Sequence, residues 1–367
     1  MKVLHIVYDL IRGGTEGQCA RTAMACRKLG HDHRVAVFSR SGYFLPQIEE
    51  ACGPVYEIEI RRMLSLQTLR EVLHLRDFMR TEKFDLIHTW DMDAGIFGAL
   101  AAHLAGVPYI TSRRNLAEVM PAYKKRLLKM ADRGAAAVVV NARAVAGHFT
   151  ARGLDASKVH LIPNMLDIEE FDRLAARDVS LPAGRIIGMV CRLEPEKCVR
   201  TLIEAAPHLL KEQPDLRFVV VGEGSERFRL QNLASAIGVA HAVHFLGERP
   251  DVPALVKRFQ IGVLTPSKNE GLSNSILEYM AAGIPVVATD CGGNAELLAE
   301  NRAGFVVPSG DSLALAAALK YILDNPGLAM EMGGCGRAKI EGDHNLKAIF
   351  RRYMDLYESF ALIIKPL

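Results

Sequence analysis

A chain of 367 residues, half of them hydrophobic, is too long for one ordinary core and fits two domains. With 24% charged residues, a net charge of only +3 and a single Trp, it is neither a disordered chain nor an obvious nucleic-acid binder. No segment approaches the roughly 20 apolar residues of a membrane helix. The seven cysteines, an odd number without a CxxC pair, argue against a disulfide framework and a zinc site, so a reducing, cytoplasmic setting is expected.

The chain begins MKVLHIVYDLIRGG, a short apolar run broken by His5 and Asp9, which reads as a strand and not as a signal peptide. A helix is expected from about Thr15 to Leu29, then a strand in RVAVFS, a helix from Leu66 to Thr81 and a strand in DLIHTW. PYITS, AAAVVVNA and HLIPN continue the series to about residue 163. Apolar β-rich runs alternating with helices are the pattern of a parallel, doubly wound sheet covered on both faces. A second series starts at GRIIGMVCRL and runs through RFVVVGEG, AVHFLGE, IGVLTPS, IPVVATD and AGFVVPSG. The expected fold is therefore α/β, with two Rossmann-like halves of about 1–165 and 166–345. The stretch from Asn164 to Pro182 reads as a polar connector. A solitary amphipathic helix from about Leu346 follows the last strand.

Ligands of such sheets bind where the carboxyl ends of strands meet helix N-termini, whose unpaired N–H groups attract phosphate. Two sheets of this kind are expected to face each other across an interdomain cleft. Gly13 and Gly14 stand ahead of the first helix, where glycines let backbone approach a bulky anion, although a plain strand-to-helix turn explains them equally. Arg192 and Lys197 in CRLEPEK end the first strand of the second half. They can converge on a diphosphate, with an ordinary exposed loop as the alternative. Further on, Glu270 and Glu278 are separated by seven residues across a helix start near Ser273 or Asn274, and Gly283 ends the helix. A capping box of Ser275 and Glu278 is the bland reading, and Glu270 can be a solvated loop carboxylate. A carboxylate in a cleft can also accept two hydrogen bonds from a vicinal diol beside phosphate held by free amides. Together these parts describe a nucleotide-diphosphate-sugar site.

These residues resemble the GT-B glycosyltransferases of family 4. The likeness is carried by GG at 13–14, IPNMLD at 162–167, CRLEPEK at 191–197, VVGEG at 220–224, HFLGE at 244–248, and E-x7-E followed by AAGIPVVATDCGGNAEL. It implies that Glu270 lies beside the donor sugar, Glu278 on the ribose hydroxyls, and Arg192 and Lys197 on the diphosphate. It also implies that Gly13 and Gly14 face the phosphate from the other half, and that amides from Gly271 and Leu272 to Ser273, Asn274 and Ser275 complete the cradle. Arg249 to Val252 would lie near the base, and the last helix would return to the first half. Retention of anomeric configuration is implied as well.

The chain departs from that pattern in several places. Cys191 and Cys198 replace glycines, and Met165 replaces the glycine of PNG. Arg113 and Arg114 in PYITSRRN stand where many members carry a histidine near the sugar, so an arginine is expected to take over contact with donor or acceptor. Asp91 and Asp93 in WDMDAG form a DxD pair, which binds a metal in glycosyltransferases of another fold. Here it falls in the half that should not hold the donor phosphates, and no metal or other cofactor is expected.

The acceptor is expected on the first half and to be lipid-linked or a glycan. Residues 1–170 hold 23 Lys and Arg against 19 Asp and Glu, a balance of +4, while the remainder has 22 against 23. RRMLSLQTLREVLHLRDFMR and AYKKRLLKMADR mix cations with leucine and methionine at helical spacing, which suits an anionic membrane surface at the inner face or simply a solvated helix face. The competing readings are an epimerase or hydrolase of the same fold and a non-catalytic nucleotide-sugar-binding module.

Overall fold

The computed structural model describes residues 1–60, 65–300 and 302–364. It divides into two compact units, Met1–Asn164 with the segment from Lys347 onward, and Met165–Leu346. The first unit is built on seven parallel strands: β1 (Lys2–Val7), β2 (Asp32–Val37), β3 (Tyr56–Glu57), β4 (Leu86–Thr89), β5 (Tyr109–Arg113), β6 (Ala137–Val140) and β7 (Val159–Leu161). Their order across the sheet is β3-β2-β1-β4-β5-β6-β7. The second unit has six: β8 (Arg185–Val190), β9 (Leu216–Val221), β10 (Val243–Gly247), β11 (Ile261–Leu264), β12 (Val286–Thr289) and β13 (Gly304–Val307). They are ordered β10-β9-β8-β11-β12-β13.

Every pairing is parallel, as the near-continuous apolar strands require. Strands such as Ala137–Val140 and Val286–Thr289 are buried along their whole length, because helices cover both faces. Local chemistry sets the helix ends. Ser65, Asp91, Asp167, Ser273 and Asp311 each accept a hydrogen bond from an amide of the first turn of the helix they precede.

Two expectations change in detail. The first helix runs Gly14–Lys28, so Gly14 is its first residue and Gly13 its N-cap. The polar connector is not all loop: Asp167 caps a helix, Ile168–Ala175, that buries Phe171 and Ala175 within the second unit. The amphipathic C-terminal helix, Leu346–Ile364, buries Tyr353 and Tyr357 in the first unit, where the Tyr357 hydroxyl bonds His88 Nδ1 at 2.6 Å. Among the described residues no helix is long and apolar enough to cross a membrane.

Candidate donor and acceptor site residues

In both sheets the strand order reverses once, between β1 and β4 in the first and between β8 and β11 in the second. The crevice outside the carboxyl ends of those two strands is where an open α/β sheet accepts ligand. In the second unit the loops at the switch point are 191–198 and 265–273, which hold Arg192, Lys197 and Glu270.

Lys197 Nζ donates to Glu270 Oε2 at 2.6 Å, with 18% and 12% of the two side chains exposed. Burial at this level makes the pair far less screened than a surface contact. Both loops are fastened from behind. The buried Thr265 hydroxyl donates to the Cys198 carbonyl at 2.9 Å, and Ser267 N donates to Glu196 O at 2.9 Å. Gly293 N donates to Gly271 O at 2.7 Å, and Gly292, at φ +57°, lies so close that an added Cβ would sit 2.4 Å from the Glu270 carbonyl oxygen. Only glycine meets both demands at that position. Cys198 itself adopts the left-handed conformation, φ 47° and ψ 42°. A glycine there would be free of the roughly 1 kcal/mol that a side chain costs in this region.

Arg192 is placed differently from expectation. Its side chain is 72% exposed and reaches Glu196 at 3.7 Å, whereas Lys197 is held by Glu270. The two cations therefore do not share a partner, and Lys197 is the fixed one.

The helix behind Glu270 runs Asn274–Ala281. Its N-cap is Ser273, not Ser275, which corrects the capping-box reading. Ser275 instead donates to the Val190 carbonyl at 2.7 Å, and the Tyr279 hydroxyl accepts from Val190 N at 2.7 Å while donating to Val263 O at 3.2 Å. Three hydrogen bonds thus bolt this helix to the ends of β8 and β11. Tyr279 fits because Gly262 lies under its ring, where an added Cβ would be 2.4 Å away. Ile276, Leu277 and Met280 are buried, while Asn274, Ser275 and Glu278, one helical turn apart, stay partly exposed on the face turned to β8. Leu272 and Gly271 are buried. Nothing in the sequence pattern announced Thr265 or Tyr279, because their partners lie far away along the chain. Arg249 forms a two-pronged ion pair with Asp251, 2.8 and 2.6 Å, immediately before the short helix that begins at Val252.

In the first unit, Gly13 has an unremarkable φ of −103°, and an added Cβ would meet only the flexible Glu16 carboxylate. The backbone angle at this turn does not by itself demand glycine. Arg113 is overturned as a contact for substrate: its side chain is wholly buried, paired with Asp132 and donating to Ser112 O at 2.6 Å. The end of β5 points that guanidinium into the sheet's helical cover, so the next residue takes the accessible position. Arg114 is partly exposed, lies 5.3 Å from the Trp90 ring centroid, and donates to Asn164 Oδ1 and to the Tyr353 hydroxyl.

The DxD carboxylates have separate local partners. Asp91 caps the Met92–Ala105 helix, accepting from Ala94 N at 2.9 Å and from Tyr8 N at 2.6 Å, and Asp93 pairs with Lys124 at 2.8 Å. Burial pushes the Asp91 carboxyl up to about 7 against the pull of those two amides.

A histidine network missed in the sequence lies beneath. Trp90 Nε1 donates to His5 Nδ1 at 3.0 Å, so His5 Nε2 carries the proton given to His33 Nδ1 at 2.8 Å. His88 bonds Tyr357 and Ser112. Burial holds all three imidazoles neutral, well below their usual range.

The family model described as Glycosyltransferase Family 4 matches residues 12–170, and that described as Glycosyl transferases group 1 matches residues 175–339. The chain is similar to the Escherichia coli UDP-Gal:alpha-D-GlcNAc-diphosphoundecaprenol alpha-1,3-galactosyltransferase, 26% identical over 341 residues that cover 88% of this chain and 87% of that one. It is similar also to the putative glycosyltransferase EpsD of Bacillus subtilis, 27% identical over 342 residues covering 85% and 87%. In fold it resembles Anabaena HepE in complex with UDP-glucose, with a TM-score of 0.85 and 23% identity over 98% of this chain and all of that one.

Proposed function

This chain belongs to the GT-B glycosyltransferases of family 4, and on that premise we propose that it moves a sugar, with retention of configuration, from a nucleotide-diphosphate sugar to a hydroxyl of a lipid-linked or polysaccharide acceptor. The observation that carries the proposal is the Lys197–Glu270 pair, held at the switch point of the second sheet beside the start of a firmly anchored helix. The names of the relatives favour a uridine diphosphate donor and a diphospholipid acceptor.

Breaking the bond between sugar C1 and phosphate builds positive charge on the ring and negative charge on the diphosphate. Lys197, Arg192 and the amides from Gly271 to Asn274 receive the negative charge. Glu270 faces the sugar and steadies Lys197, and Glu278 accepts from the ribose hydroxyls. Gly13, Gly14 and the segment Arg249 to Val252 keep the phosphate-side and base-side roles given by the resemblance. The acceptor oxygen attacks C1 on the face the phosphate leaves, and its proton passes to the departing phosphate oxygen. We assign charge neutralisation to these groups and not to a metal, because Asp91 and Asp93 are committed to a helix cap and to Lys124.

A thermal-shift panel of nucleotide diphosphates and their sugars, with EDTA or magnesium, tests this. Stabilisation by one base family is expected to survive EDTA. In Glu278→Ala the donor should lose about 1 to 3 kcal/mol of binding, the value of hydrogen bonds to a charged group. A lowered melting temperature with unchanged donor affinity would reduce Glu278 to a structural residue, and a strict magnesium requirement would refute the metal-free site.

We further propose a cytoplasmic enzyme that rests on the inner membrane face through its first unit. The Ala122–Gly134 helix exposes Tyr123 and Met130 among the exposed cations Lys125, Arg126 and Lys129, and the Leu66–Thr81 helix exposes Leu66 and Leu69. Arg61 to Leu64, the start of the basic stretch that runs into the Leu66–Thr81 helix, lie outside the described residues. Co-sedimentation with anionic liposomes at low salt and release at high salt are expected, and no binding to anionic vesicles would sink the idea.

A further inference from the structure

Among the described residues Arg114 is a cation without a counter-ion. Its three neighbours are neutral: the Trp90 ring, the Asn164 amide oxygen and the Tyr353 hydroxyl at 3.3 Å. No carboxylate pairs with it among the described residues, whereas the charge of the adjacent Arg113 is cancelled by Asp132. A partly buried guanidinium sacrifices hydration, and an uncompensated one is costly unless an anion arrives from outside. Simple stacking on Trp90 would explain the ring contact. It would not explain why two further side chains hold the guanidinium plane in place while leaving part of its five-donor fork unused.

Those supports come from distant points of the chain. Asn164 follows β7, and its Oδ1 also accepts from Asn141 Nδ2 at 3.2 Å, while Asn141 Nδ2 lies 3.4 Å from the Arg114 carbonyl. Tyr353 arrives on the C-terminal helix, fully buried, 5.5 Å from the Trp90 ring and 5.9 Å from His88. A rigid aromatic floor and two neutral acceptors are what preorganise a fork for bidentate contact with an oxyanion.

We propose that Arg114 is an oxyanion-binding residue of the first unit, taking a phosphate or carboxylate carried by the acceptor or by the transferred sugar, and that Tyr353 is its positioning residue. The substrate assignment rests on the glycosyltransferase reading above, but the anion site can be tested without turnover. Phenylglyoxal modification of arginines in the full-length protein, read peptide by peptide by mass spectrometry, reports access to each guanidinium. Inorganic phosphate is expected to slow modification of Arg114 by about fivefold relative to chloride at equal ionic strength, as occupancy of a site requires, while exposed Arg229 is unaffected. Equal rates in phosphate and chloride would overturn the anion site.

Tyr353→Phe keeps the buried ring and removes only the hydroxyl. It is expected to lose most of the phosphate protection at unchanged melting temperature, and full protection in this variant would overturn the positioning role. An alkyl phosphate and free glucuronate, compared as protectants, separate the two sources. Stronger protection by the first assigns the acceptor phosphate, and by the second a sugar carboxylate. Lys197→Ala should leave the protection intact, so failure of the donor site and failure of this one are told apart.

Discussion

Lys197→Ala is expected to lower kcat/KM by roughly 30- to 1000-fold, about 2 to 4 kcal/mol, the scale of removing one partner from a desolvated charge pair that faces developing charge. The change does two things. It withdraws the cation assigned to the leaving diphosphate, and it strands the Glu270 carboxylate, whose only partner among the described residues is Lys197. Pairing the variant with Glu270→Ala separates them. The double variant should recover melting temperature, because no buried charge is left unpaired, and should not recover transfer. Lys197→Arg keeps the charge but not the compact ammonium that fits the 2.6 Å contact, and should fall between. Steady-state kinetics with varied donor give the result, and a kcat/KM within threefold of wild type would remove Lys197 from the leaving-group role.

Mild acid is expected to destabilise the first unit steeply. His5, His33 and His88 are kept neutral by burial, His33 down to about 2, and what surrounds them is of like sign. His33 faces His5, His31, the N-terminal amine and Arg27, and His88 faces Arg114. The unfolded chain takes up these protons below the ordinary histidine value of 6.5, and the folded chain does not. Stability is therefore complete above pH 6.5 and falls as pH drops below it, by about 1.4 kcal/mol per pH unit for each histidine. Asp91 acts in the opposite sense between about 7 and its ordinary value of 3.8, since its folded form holds the extra proton. Three groups against one leave a net loss of about 3 kcal/mol per pH unit. Urea midpoints measured from pH 7.5 to 5.0 should show this slope, and His33→Leu should flatten it by about one half. An unchanged midpoint between pH 7 and 5.5 would show that the network does not resist protonation. Tyr357 binds His88 from the C-terminal helix, so loosening of that helix should accompany the loss.

Much of this protein was legible one residue after another. The apolar runs gave the strands, and capping and glycine chemistry gave the helix ends, because both depend on neighbours within about one helical turn or one strand. The Leu66–Thr81 helix lies where its spacing puts it, and Glu270 and Glu278 flank a helix start as read. The parallel sheets also followed, since strands buried on both faces admit little else. Site chemistry was legible only as residue types at strand ends; the contact between Lys197 and Glu270, 73 positions apart, was not.

What each side chain does with its charge was decided only by tertiary packing. Arg113 and Arg114 are chemically identical neighbours, yet successive residues of a strand end point to opposite sides, and one meets Asp132 while the other meets Trp90 and Tyr353. Ser275 looked like a cap until its hydroxyl found the Val190 carbonyl 85 residues away. The sheet order puts the histidines of β1, β2 and β4 side by side beneath a helix from the far end of the chain. The sequence by itself determined the two sheets and the charged residues at their switch points, through interactions of short range. Only the folded structure decided which of those charges is paired, which is buried and which stays partly exposed, because those outcomes depend on contacts between residues that the chain itself keeps far apart.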